Sequence, residues 1–560
     1  MREKKEVGTK KSSNKQTRGY REAYRGKKKK VMDPSEIGAG DVSPTTKTEK
    51  CNLGTGYNPT HIRNDASWYA LDAQYLKNAY SLNFSAPSCV DIFNKAPALK
   101  MGTPGVAVVK IVNTFGLSLD DNSPVNVMAR KFFAEVRKFN TGSVPYEAPD
   151  LMMVVYAAID IVIRMSLIKR AIGVLGRFSP YNKTLGVGLI SAMGFQYDDL
   201  ATNSANIRSR YNILVDKFNS ALRIPNFLTY ADRKAFLFSN IFMDKPSIRS
   251  GFYITRPYTC YDWNTTSLPT GTCLRQTTIN WGDNNETAMT WLDNIESALN
   301  LMIVDQDVNI MMGDIIKAYG EGSMLQLGYL EDGYQTPIVY SEEFGVQIHN
   351  ANITGRVHFF RNGGGEVQED GYQLDATPLY QENGSIRSLL MTTSESNARL
   401  ANQTRYLDVE SDLPDPAEVA EATRFMCTID TSVTTKTTAG TAYTWFALNC
   451  GTEVVHSVTV WTGDENGDLE VNTPYWEYLV DSNFNPVGSG TTGNIGINGL
   501  SAISKLGHHP LIPICQAGTA DTVYGYIGDL HNFVPIAKST IEHMNYAAIY
   551  ALMVSRGVLS

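Results

Sequence analysis

The sequence predicts an α+β protein: a mainly α-helical body with a β-rich region, preceded by a disordered basic N-terminal arm. Three observations predict it. Apolar residues recur at helical spacing through much of the chain up to about residue 320. Residues 346–500 change in texture, becoming rich in Thr, Val, Tyr, Asn and Gly with turn signals between short runs. Charge is also divided very unevenly along the chain.

The division of charge comes first. The 560 residues carry 50 Lys+Arg against 57 Asp+Glu, a formal charge of −7. Residues 1–30 hold thirteen of the basic side chains: Arg2, Lys4, Lys5, Lys10, Lys11, Lys15, Arg18, Arg21, Arg25, Lys27, Lys28, Lys29 and Lys30. Only Glu3, Glu6 and Glu22 oppose them, so this stretch is +10 and the remainder −17. Apart from Met1, Val7, Tyr20, Ala23 and Tyr24 the arm has nothing to bury, and it cannot offset the entropy of ordering. It has no apolar segment of the kind a secretory signal needs, and Met-Arg at the start does not fit N-myristoylation.

A Pro/Gly/Ser/Thr-rich linker over 31–60 leads to the body, whose 43% apolar content suffices for one large core or several domains. Asp65 is placed to cap a helix burying Trp68, Leu71, Tyr75 and Ala79. Ser123-Pro124 opens another, with Val125, Met128, Phe132, Phe133, Val136 and Phe139 on one face. The run LMMVVYAAIDIVIRMSLIKR (151–170) is broken by Asp160 and Arg164, which makes it a buried core helix and not a membrane span. Ile207, Tyr211, Leu214, Val215, Phe218 and Leu222 form one helical stripe. Residues 287–320 read as two consecutive helices, the first burying Trp291, Ile295, Leu299 and Met302. After Pro535 a last helix turns Ile541, Met544, Ala548 and Leu552 inward.

Within the β-rich texture, VVHSVTVWTGDENGDLEV (454–471) reads as a hairpin about Asn466-Gly467. EDGYQTPIVY (331–340) and EDGYQLDATPLY (369–380) read as two Asp-Gly turns entering strands. The seven cysteines are scattered with no C-x-x-C, which predicts reduced core thiols in a cytosolic setting.

Catalytic and metal motifs are sought and not found. GSGTTG (488–493) has the dinucleotide spacing, but FNPV before it and NIGING after it leave no strand-to-helix turn. GDENGDLE has its glycine at the wrong offset for a calcium loop. His508-His509 has no Cys or carboxylate at ligand spacing, and reads as a loop pair. Asp305 and Asp307 read as helix capping. No nucleophile elbow, H-E-x-x-H, Walker A lysine or G-D-D occurs. The expectation is a non-enzymatic protein without cofactor or metal.

The arm is then the strongest functional signal. Its lysines and arginines would neutralise phosphates and release counterions without reading sequence. Tyr20 and Tyr24, interleaved with Arg18, Arg21 and Arg25, are placed to stack on unpaired bases. A nuclear address, a membrane-surface clamp and a free solvated tail are the competing readings; a nucleic-acid arm is favoured, and membrane clamps normally add an apolar insert.

The basic RGYREAYRGKKKK, the linker, the helical SALNLMIVDQDVNIMMGDIIKAYG, the stretch EEFGVQIHNANI and the β-rich region before a terminal helix together resemble the capsid proteins of picobirnaviruses. The likeness runs over the whole length as an arrangement and carries no catalytic residue. It implies a shell protein: residues 1–50 as arm and linker, 51–345 as a mainly helical shell domain, 346–500 as a β-rich projecting domain, and 501–560 as a segment returning to the shell. Residues 250–282 are a second place for the projection. The resemblance further implies dimers forming a small icosahedral shell around double-stranded RNA, assembled in the host cytoplasm, with a host membrane or receptor as a partner during infection. A partitivirus-like coat protein is the nearest alternative. A nucleic-acid-processing enzyme with a recruiting tail and a glycan- or receptor-binding β module are more distant ones.

Overall fold

The computed structural model describes residues 105–553 apart from internal stretches, the longest being 485–502, together with residues 73, 74 and 77. The chain divides into two units, residues 1–84 and 85–560, and all but those three described residues belong to the second. Of the helix proposed to open at Asp65 only residues 73, 74 and 77 are described, and they are helical and exposed. Asp65, Trp68, Leu71, Tyr75, Ala79, the GSGTTG loop and the turn at Asn466-Gly467 lie outside the described residues.

The helices are α1 (Pro124–Phe139), α2 (Ala148–Leu175), α3 (Lys183–Ala192), α4 (Tyr197–Ala221), α5 (Thr229–Ser239), α6 (Ala288–Ile303), α7 (Gln306–Tyr319), α8 (Glu342–His349), α9 (Pro416–Ala422) and α10 (Lys538–Met553). The strands up to the eighth helix are β1 (Val106–Asn113), β2 (Ile241–Met243), β3 (Phe252–Pro257), β4 (Thr259–Trp263), β5 (Leu274–Thr278) and β6 (Ile338–Tyr340). Then come β7 (Val357–Arg361), β8 (Val367–Gly371), β9 (Gln373–Ala376), β10 (Tyr380–Glu382), β11 (Ser385–Arg387), β12 (Leu390–Thr393), β13 (Arg405–Val409), β14 (Thr428–Lys436) and β15 (Ala442–Asn449). The last are β16 (Glu453–Gly463), β17 (Leu469–Asn472), β18 (Tyr478–Val480), β19 (Ile512–Gln516), β20 (Val523–Ile527) and β21 (Asn532–Ile536).

The helix α2 organises the body. Its 28 residues are long and apolar enough to cross a membrane by length and composition, yet the whole of its apolar window is buried inside the protein. Helices α1, α4, α5 and α6 pack around it, with β4 on another side. The two charges that interrupt its sequence are matched from within. Arg164 Nη2 lies 2.7 Å from Asp262 Oδ1 and 3.4 Å from Asp160 Oδ2, and the Tyr261 N–H donates to Asp160 over 2.7 Å. Burial lifts the Asp160 carboxyl to about 6 against the pull of Arg164.

Local signals act where expected. Ser123 precedes a proline in the first turn of α1, and Val125, Met128, Phe132 and Val136 are buried. Phe139, expected on that face, is 50% exposed at the helix end, where the chain turns away at Asn140. The α4 stripe is buried from Ile207 to Phe218, and Leu222, just past the helix, is buried too. Asp305 caps α7, accepting from the N–H groups of Asp307 and Val308. In α10 the buried row is Ile541, Asn545, Ile549 and Met553; Met544, Ala548 and Leu552 are only half-buried. Asn545 takes the inward place because its amide donates to the carbonyls of Met426 and Asn449, at 3.3 and 3.5 Å.

The central sheet has the order β17-β16-β1-β3-β2-β6. Its middle strand β1, VAVVKIVN, pairs antiparallel with β16 and parallel with β3, so a nearly continuous apolar run serves two strand neighbours. Strands β3 and β4 are buried at every residue, β3 within the central sheet and β4 paired with β5. The stretch 346–500 is likewise not one layer. Its strands β9, β12, β14 and β15 form a separate four-stranded sheet, whereas β16 and β17 belong to the central sheet. β16 and β17 pair as expected of the hairpin. Gly333, with φ 79°, forms a turn ahead of β6, but Asp370-Gly371 lies inside β8, paired with His358 and Val357, so the two EDGY segments are not equivalent.

Candidate functional site

The thirteen basic residues predicted to meet nucleic acid, Arg2 through Lys30, lie outside the described residues. What the structure does bring together is a set of histidines and carboxylates distant in sequence. It joins α8, the end of β2, β13 and the 507–510 segment.

Two features position His508. The first is Gly345 in α8: a Cβ there would come within 2.8 Å of the imidazole, so the ring rests directly on helix backbone. The second is Asp244 after β2, which accepts from the Gly507 N–H at 2.7 Å and the Tyr253 hydroxyl at 2.5 Å. His508 Nε2 is then 2.7 Å from Glu410 Oε1, and Nδ1 is 3.9 Å from Asp244 Oδ1. Burial opposes charge on this ring, but Asp244 and Glu410 outweigh it and hold His508 above the ordinary imidazole value. The same contacts overcome burial at Asp244 and keep its carboxyl below the usual range.

His349, in the last turn of α8, has its Nε2 3.0 Å from Asp408 Oδ2 and its Nδ1 3.1 Å from the His509 carbonyl. Both ring nitrogens face acceptors. Burial nevertheless pulls His349 below the ordinary value, with Asp408 resisting and His509 and His508 adding to the fall. Asp408 is a hub: its carboxylate also accepts from the His531 N–H at 2.9 Å, and its own N–H and C=O are both bonded to the Asn350 amide, at 2.8 and 2.7 Å.

His508-His509 is a loop pair, as read, and the carboxylates beside it, Asp244 and Glu410, come from 264 and 98 residues away, far outside any ligand spacing in the sequence. No signal at short range could have found them. Among the described residues no group of three or more His, Cys, Asp or Glu is arranged to hold a metal ion. Cys260, Cys427, Cys450 and Cys515 are buried, and burial raises the thiols of Cys260 and Cys450 well above their ordinary value. The chemistry on view is a charge lock between structural elements, with His349 bordering a small cavity it shares with Tyr406, Leu511 and Tyr526.

Comparison with known proteins places this architecture. A family model described as picobirnavirus capsid protein matches residues 61–475. A capsid protein precursor of Human picobirnavirus (strain Human/Thailand/Hy005102/-) is 26% identical over 314 residues, 54% of this chain and 56% of the relative. The match thus spans about half the length of that curated relative. The X-ray crystallographic structure of the picobirnavirus capsid shares the fold, with a TM-score of 0.68 at 24% identity, covering 89% of this chain and 99% of that one. With most of its length matched by the family model, the chain belongs to the picobirnavirus capsid protein family.

Proposed function

We propose that this capsid protein self-assembles as dimers into a small icosahedral shell, and that residues 1–30 contact packaged double-stranded RNA. The observation that carries the second part is the separation of charge: +10 on an arm with almost nothing to bury, against −17 on the rest. A polyanion attracts the first and repels the second, so the contents meet the arm and the body is left for protein–protein contacts. A chain of about fifty residues behaving as a random coil would span roughly 40 Å, enough to pass from an inner shell surface into the packaged RNA.

In this reading the body is a structural, non-enzymatic shell part, assembled in the host cytoplasm. The projection is drawn from 346–500, centred on the separate sheet β14-β15-β12-β9, because its strands lie outside the central sheet. A host membrane or receptor is the partner during infection. Expressing the full chain and imaging the product by negative-stain electron microscopy tests the proposal. Uniform closed particles support it; soluble monomers at high concentration contradict it.

A further inference from the structure

Strand β21 reads NFVPI, and Asn532, Phe533, Val534 and Pro535 are all exposed, Phe533 and Val534 by 50% and 53%. Consecutive strand residues point to opposite faces, so both faces of this strand reach solvent, the Phe533 ring resting on one side edge-on against Tyr406 at 5.8 Å. One edge is paired with β13, in the register Asp408↔Phe533 and Tyr406↔Pro535. The other edge has no strand partner among the described residues.

The backbone of that free edge can be worked out. Asp408 has both its N–H and its C=O turned away from β21, onto the Asn350 side chain. In an antiparallel ladder, residues opposite one another point their polar groups in the same sense, both toward or both away from the partner strand. Phe533 therefore directs its own N–H and C=O outward, and Pro535, two residues on, directs its C=O outward. Among the described residues none bonds to these groups. Pro535 lacks an N–H, which keeps the open ladder short.

An exposed edge with unpaired donors and acceptors beside an apolar side chain is a template for another strand. We infer that β21 pairs antiparallel with the same strand of a second copy of this chain, through Phe533. This rests on the proposal that the chain self-assembles, and it names the surface. Charge favours the same occupant. Exposed Asp412 and Asp529 lie toward the Asn532 end of the strand, and exposed Lys538, which also reaches Glu542 at 3.8 Å, toward the Ile536 end. A two-fold axis across β21 lays the basic end of each copy along the acidic end of the other.

The test uses cysteine cross-linking of the full chain, with Phe533→Cys against Val304→Cys, the latter 74% exposed at the α6–α7 junction. Oxidation is expected to give covalent dimers from F533C about 10-fold above the V304C level, since residue 533 lies near the axis. Phe533→Asp, at a half-exposed site where folding is checked by circular dichroism, should weaken dimerisation about 30-fold in sedimentation analysis. Wild-type chain that assembles while F533C cross-links no more than V304C overturns the strand pairing alone. Wild-type chain that stays monomeric overturns the self-assembly proposal as well.

Discussion

Lys234 Nζ lies 2.6 Å from Glu453 Oε1, and both side chains are completely buried. The pair ties α5 to the first residue of β16, and so one helix of the body to the central sheet. Arg424 Nη2 and Arg233 Nε approach the same carboxylate at 3.1 and 3.6 Å, while Lys234 also donates to the Thr452 carbonyl at 2.9 Å. Burial works against every charge here. Three cations overcome it at Glu453 and hold its carboxyl far below the usual range, whereas burial takes Lys234 down to about 8. Glu421 also acts on Arg233 and Arg424, but Glu453 is the carboxylate that all three cations share, and removing it leaves them without that partner. Glu453→Gln is expected to cost about 3–5 kcal/mol in urea unfolding. Lys234→Met should cost less, because Arg424 and Arg233 still serve Glu453 and the Met stem fills the same space.

His508 gives a pH dependence of defined sign. Its folded value is raised, so its stabilisation is fully present below the unfolded value of 6.5 and fades as pH rises through the raised value. His508→Gln should therefore cost about 1–2 kcal/mol near pH 6, with half-exposed Glu410 contributing little of it, and less near pH 9. His349 titrates with the opposite sign. Its lowered value means stability present above 6.5 and lost on acidification, so the wild-type profile is partly cancelled and the single variants separate the two. Thermal melts of wild type, H508Q and H349Q from pH 5 to 9 make the measurement.

Two glycines in helices should respond oppositely to alanine. A Cβ at Gly173 in α2 would meet Thr336 N at 2.6 Å and Tyr334 Cε1 at 2.7 Å, where the helix carbonyl already accepts from the Thr336 N–H. Gly173→Ala should lose about 3 kcal/mol or fail to fold. At Gly313 in α7 a Cβ meets nothing within 4 Å, and Gly313→Ala should gain about 0.5–1 kcal/mol by helix propensity. The shift in denaturant midpoint reads both.

Much of the helical body was legible because one-sided burial writes itself as a period. The α4 stripe, the α6–α7 pair and the Asp305 cap all follow from local spacing. The strand β1 was not legible. VAVVKIVN is buried on both faces and shows no alternation, and its partners β3 and β16 begin at residues 252 and 453. The inward face of α10 was misplaced because two rows of that helix are apolar enough, and the buried one includes Asn545 for its hydrogen bonds. The histidine–carboxylate lock left no trace at short range, since His349, Asp408 and His508 meet only through the fold.

The arm makes a prediction about salt. With up to about ten charges engaged, the logarithm of RNA affinity should fall with the logarithm of salt concentration with a slope of roughly −7 to −9. Filter binding of a double-stranded RNA across a salt series measures it. A chain lacking residues 1–30 should show weak binding and a shallow slope.

The most direct measurement is the RNA content of particles assembled from the full chain and from a chain lacking residues 1–30, by ultraviolet absorbance of the purified shells. The account predicts shells of the same diameter from both, with RNA in the first and near-background RNA in the second. Equal RNA in both would contradict it.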